Sequence, residues 1–183
     1  EEPMIIGLTG GIGSGKSVVA KILETMGCVI FNSDNAAREA YLDPGVRTKV
    51  IALLGSQSYL TGTSINKKYI GARIFENSAL LHELNNIIHP AVKLSFKAFV
   101  AAHPGKTIVK ESALLFEANV AAQADKVIIV AADQEIRINR VMARDGAKRD
   151  EVLKKIKSQM PQEEKIKKSD FVIYNNEKEF LVP

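Results

Sequence analysis

The stretch Met4-Ile-Ile-Gly-Leu-Thr-Gly-Gly-Ile-Gly-Ser-Gly-Lys-Ser17 decides the fold. It joins a short apolar run to a glycine-rich segment that fits G-x-x-x-x-G-K-[ST] at each fixed position: Gly10, Gly15, Lys16 and Ser17. Glycines let the backbone turn back on itself with N–H groups pointing inward at phosphate oxygens, while the lysine reaches the outer phosphates and the serine hydroxyl ligates Mg²⁺. A helix starting near Lys16 adds its positive end. So short a pattern also occurs as an ordinary glycine-rich turn, so its context decides. A strand-like run precedes it, and the helical pattern Val18-Val-Ala-Lys-Ile-Leu23 follows. Gly11, Ile12, Gly13, Ser14, Gly15, Lys16 and Ser17 are therefore expected to hold a nucleoside triphosphate.

The 183 residues, 46% of them hydrophobic, suffice for one buried core carrying small inserted subdomains. Cys28 is the only cysteine, which excludes an internal disulfide and a cysteine-based metal cluster and suits a reducing cytoplasm. No apolar stretch approaches a membrane span, and Glu1-Glu2 is the wrong start for a signal peptide. The expectation is a soluble, cytoplasmic chain, monomeric for preference. Its net charge of +4 is concentrated: from Arg137 to Lys168 there are eleven Lys or Arg against five Asp or Glu. Such a segment is a solvated helical face, a nucleic-acid patch or a lid over phosphates. It carries no aromatic residue to interleave with bases. With a phosphate cradle in the same chain, the lid is the favoured reading and a nucleic-acid partner is not expected.

Strand-like and helix-like patterns alternate in the α/β manner. Strands are expected at Met4–Thr9, Cys28–Phe31, Thr107–Lys110, Lys126–Val130 and Phe171–Tyr174. A first helix runs from Lys16 to Met26 with Gly27 placed to end it, and a second, capped by Ser33 or Asp34, runs to about Tyr41. Residues 46–102 have helical spacing, broken at 55–63. The layout is a core with a parallel sheet flanked by helices (1–58, 106–134 and 169–183), an inserted helical acceptor-binding region (59–105) and a basic helical lid (135–168).

These parts describe a small-molecule kinase. Phosphoryl transfer depends on positioning and charge stabilisation more than on covalent chemistry, so an acid near the cradle and arginines able to close on it are the features to find. Asp34 follows the second strand, at the edge where open α/β sheets bind ligands. There a carboxylate takes the proton of an acceptor hydroxyl and helps hold Mg²⁺, or caps a helix, roles that can coexist.

Over nearly its full length the chain resembles the dephospho-coenzyme A kinase family, whose fold is a P-loop core with a helical acceptor domain and a lid. The matching segments are Gly7–Ser17, Asp34 with Ala37-Arg38, and Ile88-His89-Pro90, then Leu114-Leu-Phe-Glu117. They continue with Arg140, Arg144-Asp145, Arg149, Gln159 and Ser169-Asp170. The glycine-rich loop fits many kinases; His89-Pro90 followed by Leu-Leu-Phe-Glu at this separation is far more specific. The resemblance implies ATP and dephospho-coenzyme A as substrates, with Mg²⁺. It also implies Asp34 as general base on the ribose 3′-hydroxyl and Lys16 with the cradle on ATP. Arg140, Arg144 and Arg149 would then act on the transferring phosphoryl group or the nucleotide. It further makes His89, Glu111 and Leu114 candidate acceptor contacts, while position alone makes Arg73 a candidate acceptor contact and Asn175, after the last strand, a candidate adenine contact.

Two segments depart from the family pattern. Where the family reads Asp-x-Pro-Leu-Leu-Phe-Glu, this chain has Glu111-Ser-Ala113-Leu-Leu-Phe-Glu117, so the carboxylate sits one methylene further out and a proline φ restraint is gone. Where Asp-x-Asp is common, Asn32-Ser33-Asp34 keeps only the last acid. The chain also stops soon after its last strand, so a terminal helix is expected to be short or missing. Pro90 fixes the chain beside His89, which reads as a helix-terminal histidine. Arg73 pairs with an acceptor phosphate or forms a surface salt bridge, and Leu80, Leu84 and Ile87 read as core. Asn175-Asn176 reads equally as a plain turn. The alternatives are another nucleoside-monophosphate-like or small-metabolite P-loop kinase, a nucleotide-dependent switch, and a basic nucleic-acid-binding module. A GTPase would want Asn-Lys-x-Asp late in the chain, and none occurs.

Overall fold

The computed structural model describes residues 2–61, 64–75, 77–177 and 181. The chain divides into two compact units, residues 1–32 with 103–183, and residues 33–102. The first holds a five-stranded sheet of β1 (Ile5–Thr9), β2 (Val29–Asn32), β3 (Ile108–Glu111), β4 (Lys126–Ala131) and β5 (Phe171–Tyr174), in the order β2-β3-β1-β4-β5. Each neighbouring pair is parallel, with Leu8 opposite Glu111 and Ile128. Parallel pairing brings all the carboxyl ends to one edge, so Thr9, Asn32, Glu111, Ala131 and Tyr174 share it.

The five strands fall within about a residue of the expected runs because each is a short apolar stretch covered by helices. Leu8, Val109 and Val130 are fully buried, packing with Val19 and Ala20 of α1 (Lys16–Thr25). Beyond β4 come α6 (Gln134–Asp145), α7 (Arg149–Lys157) and α8 (Gln162–Lys168). Ile138, Val141 and Val152 form a small core of their own between α6 and α7, against which Ile12 of the glycine loop packs. A terminal helix would fall largely on residues 178–180 and 182–183, outside the described residues.

The second unit is helical: α2 (Ser33–Ala40), α3 (Pro44–Leu54), α4 (Lys67–Ile74) and α5 (Ser78–Ala102). It starts at residue 33 rather than 59, because Ala40, Val46, Val50 and Leu54 share one core with Ile70, Leu84 and Ile88. Leu80 and Ile87 pack against that core, as their spacing predicts. Two local expectations are corrected. The buried Ser33 Oγ has no hydrogen-bond partner, so it does not cap α2, whose first turn already contains Ser33 and Asp34. Nor does Pro90 end a helix: α5 runs through it, which puts His89 mid-helix and exposed. Proline inside a helix costs about 3 kcal/mol, and here Leu84, Ile88 and Phe96 keep one buried face continuous across it.

Leu8 is fully buried in the central strand that leads into the glycine loop. Leu8→Ala is expected to lower unfolding free energy by about 2–5 kcal/mol in urea titration, through lost transfer energy and the cavity left behind.

Candidate active site

The glycine loop follows β1 directly, and its conformation is set by donors that seize its carbonyls. Arg137 Nε donates to Ile12 O at 3.0 Å, Arg140 Nη1 to Gly13 O and Ser14 O at 3.3 and 3.4 Å, and Asn175 Nδ2 to Ser14 O at 3.0 Å. Gly11 O accepts from Ser14 N at 3.1 Å. A trans peptide points C=O and N–H in opposite directions, so fixing Ile12 O and Ser14 O turns the Gly13 and Gly15 amides the other way. Among the described residues the amides of Gly13, Gly15, Lys16 and Ser17 meet no protein acceptor, and α1 has no side-chain cap. Four donors at the positive end of a helix make an anion site. Gly15 holds φ +88°, and a Cβ there would run into Asn175 Nδ2, so only glycine serves.

Opposite these amides stands Glu111, with a side chain 5% exposed. It accepts from Lys16 Nζ at 2.9 Å, Ser17 Oγ at 3.4 Å and Asn32 Nδ2 at 3.4 Å. The register of β3 on β1 and β2 produces this grouping, since Glu111 lies opposite both Leu8 and Asn32. The added methylene relative to the family's aspartate still leaves the carboxylate on Lys16.

The lid arginines fall into two kinds. Arg140 is committed to the loop: besides Gly13 and Ser14 it donates to Asn175 O at 2.7 Å and to Glu177 at 3.1 Å. It ties the loop to the turn after β5. Asn175, read as an adenine contact or a plain turn, holds the Ser14 carbonyl, and its own amide donates to Ala131 O. Arg144 and Arg149 are exposed, the first paired with adjacent Asp145 and the second with Glu135, both at 2.7 Å. Each carboxylate raises the pKa of its arginine, and each arginine lowers the pKa of its carboxylate.

In the helical unit, Asp34 is exposed in the first turn of α2. Arg73 is exposed and lines a recess of about 460 Å³ with Gly71, Ala72, Phe75 and Asn77. In the sheet unit, Leu114 is 44% exposed in the loop after β3.

Sequence reasoning gave Arg137, Asn32 and Lys165 no role. Arg137 is one turn before Arg140 on α6, a spacing that in hindsight puts both guanidinium groups on the loop side. Lys165 belongs to the charged run read as a basic lid, yet it is 1% exposed. Its ammonium donates to Ala113 O at 2.8 Å and pairs with Glu117 at 2.9 Å, and Glu117 also accepts from Met160 N. Lys165 thus fixes the loop where the family has proline. Gln159 beside it accepts from Ile12 N at 3.0 Å, so the α7–α8 junction touches both loops. Among the described residues no three His, Cys, Asp or Glu side chains gather as a metal cluster, and no helix is long and apolar enough to cross a membrane.

A parallel sheet of this order with a phosphate-binding loop after its central strand defines a P-loop kinase fold. The model of the family described as dephospho-CoA kinase matches residues 4–179, and the chain belongs to that family. The dephospho-CoA kinase of Fusobacterium nucleatum is 39% identical over 173 residues, 94% of this chain and 90% of the relative. Among solved structures, TT1252 from Thermus thermophilus is similar at 32% identity and TM-score 0.88, covering 96% of this chain and 90% of that one. The dephospho-CoA kinase from Campylobacter jejuni, at 24% identity and TM-score 0.66 over 94% and 88%, shares the fold.

Burial favours protonation of Glu117, but its bonds to Lys165 and to backbone amides outweigh that and hold its carboxyl below the usual range. A carboxyl depressed by folding stabilises the protein above its unfolded pKa and loses that contribution as pH falls through its folded pKa. The stability gap between wild type and Glu117→Gln, read by urea titration at several pH values, is expected to be full at neutral pH and to close under acid. A gap that does not change with pH would contradict the pairing.

Proposed function

We propose that this chain transfers the γ-phosphoryl group of ATP to the ribose 3′-hydroxyl of dephospho-coenzyme A, yielding coenzyme A and ADP, in the cytoplasm. The observation that carries the reading is family membership across residues 4–179, joined to a loop whose amides at Gly13, Gly15, Lys16 and Ser17 stand free of protein acceptors.

The loop from Gly11 to Ser17 takes the ATP phosphates on its amides. Lys16 exchanges its bond with Glu111 for the outer phosphates, where its charge offsets that developing on the transferring group. The oxygen donors suit Mg²⁺, which takes one or two protein oxygens and completes its shell with phosphate and water. Ser17 Oγ, 3.4 Å from the Glu111 carboxylate, would ligate it with that carboxylate beside it, and Asp34 of the helical unit is a further candidate carboxylate. When bound, the metal would supply positive charge that offsets the charge of the outer phosphates. Asp34 accepts the proton of the 3′-hydroxyl as that oxygen attacks. Arg73 and His89 of the helical unit are candidate acceptor contacts, as is Leu114 of the sheet unit. Arg144 and Arg149 hold surface pairs that solvent screens, so they are free to exchange Asp145 and Glu135 for phosphate. Arg140 keeps the loop in its binding conformation.

The reading is tested by incubating the protein with ATP, Mg²⁺ and, in turn, dephospho-coenzyme A, AMP, adenosine and shikimate, with products read by mass spectrometry. Selective formation of coenzyme A is expected; preferential turnover of a rival would overturn the acceptor assignment. Asp34→Asn is expected to lower kcat by about 10²–10⁴-fold with ATP affinity nearly unchanged. Equal loss of both would make Asp34 a structural or metal-holding residue instead.

A further inference from the structure

Arg137 is 5% exposed, and its position under the glycine loop is unusual for a cation. Its Nε donates to Ile12 O at 3.0 Å, and its Nη2 lies against Gly11 so closely that a Cβ there would strike it. The backbone of Arg137 likewise closes on Gly13. Among the described residues its two terminal nitrogens donate to no protein acceptor and no carboxylate forms an ion pair with it; Glu163 acts on it only through space. The other cations at the loop are compensated, Lys16 by Glu111 and Arg140 by Glu177.

A cation held out of water without a partner destabilises the fold, and burial weakens the screening of its field. The bond to Ile12 O alone does not explain such a residue, since a glutamine amide nitrogen sits at the position of Nε and could make the same bond without the desolvation cost. An anion on the loop would supply the missing compensation. We propose that Arg137 is an affinity-determining cation for the polyphosphate chain: its buried charge has no contacting carboxylate in the free protein, only Glu163 through space, and bound phosphates complete its compensation. The inference rests on the nucleotide-binding reading above. Two consequences separate it from bracing of the loop. Affinity should depend on the number of phosphates, and removing the charge should leave the free protein at least as stable.

The test is calorimetric titration of ADP and AMP into wild type, Arg137→Gln and Arg137→Lys, with thermal unfolding of each free protein. Wild type is expected to bind ADP. Arg137→Gln is expected to weaken ADP by about tenfold, equivalent to one lost charged contact, while changing AMP by less than about twofold. Its free form should unfold at the wild-type temperature or above. Arg137→Lys keeps the charge and should recover most of the ADP affinity, with a steeper salt dependence than Arg137→Gln. Unchanged ADP affinity in Arg137→Gln would overturn the proposal. So would failure of that variant to fold, or equal loss of ADP and AMP in both variants with a lowered unfolding temperature, since these mark a brace. A wild type that binds no ADP would instead remove the nucleotide reading on which the proposal rests.

Discussion

The planar peptide unit is the constraint on which the site depends. Because C=O and N–H point opposite ways, the direction of the loop amides is decided by whatever holds the carbonyls. Here Arg137, Arg140 and Asn175 hold Ile12 O, Gly13 O and Ser14 O. The cradle is therefore formed before a ligand arrives, by α6 and the turn after β5. Preorganised donors need no reorganisation when charge develops, which is the main way a protein assists phosphoryl transfer. The same bonds tie three chain segments far apart in sequence, so the loop's geometry belongs to the whole sheet unit.

Lys16 and Glu111 add a second constraint. Their pair is largely buried, and in such a pair desolvation offsets much of the attraction, so its net contribution to stability is small while its power to fix position is large. Ser17 and Asn32 share the carboxylate, so the pair sits inside a small polar network at the carboxyl edge of the sheet. Substituting glutamate for the family's aspartate preserves this arrangement because Glu111 enters from β3 at the register opposite Leu8. The missing proline is compensated locally, by Lys165 on the Ala113 carbonyl.

The parts legible in the sequence were those governed by local rules. The glycine loop announces itself because its backbone tolerates few residues, and the strands do because buried parallel strands are continuous apolar runs. Strand order and the 33–102 boundary depend on which faces meet, and the shared core of Ala40, Val50 and Leu84 has no local signature. Pro90 misled because a helix break was read from one residue, whereas the buried face on either side held the helix together. Arg137, Arg140 and Lys165 all fell within the segment read as a basic lid, and only Arg140 was given a role. Long side chains on amphipathic helices give no sequence signal for the direction of their charged ends, and here three of them turn inward to backbone carbonyls.

Residue-resolved amide hydrogen exchange across Gly10–Ser17, without and with ATP, tests the preformed cradle most directly. Without nucleotide, the Ile12 and Ser14 amides, bonded to Gln159 and to Gly11 O, should exchange slowly, while those of Gly13 and Gly15 exchange fast. ATP should then protect Gly13 and Gly15. Uniformly fast exchange in the free protein, or no protection of Gly13 and Gly15 by ATP, would contradict the account.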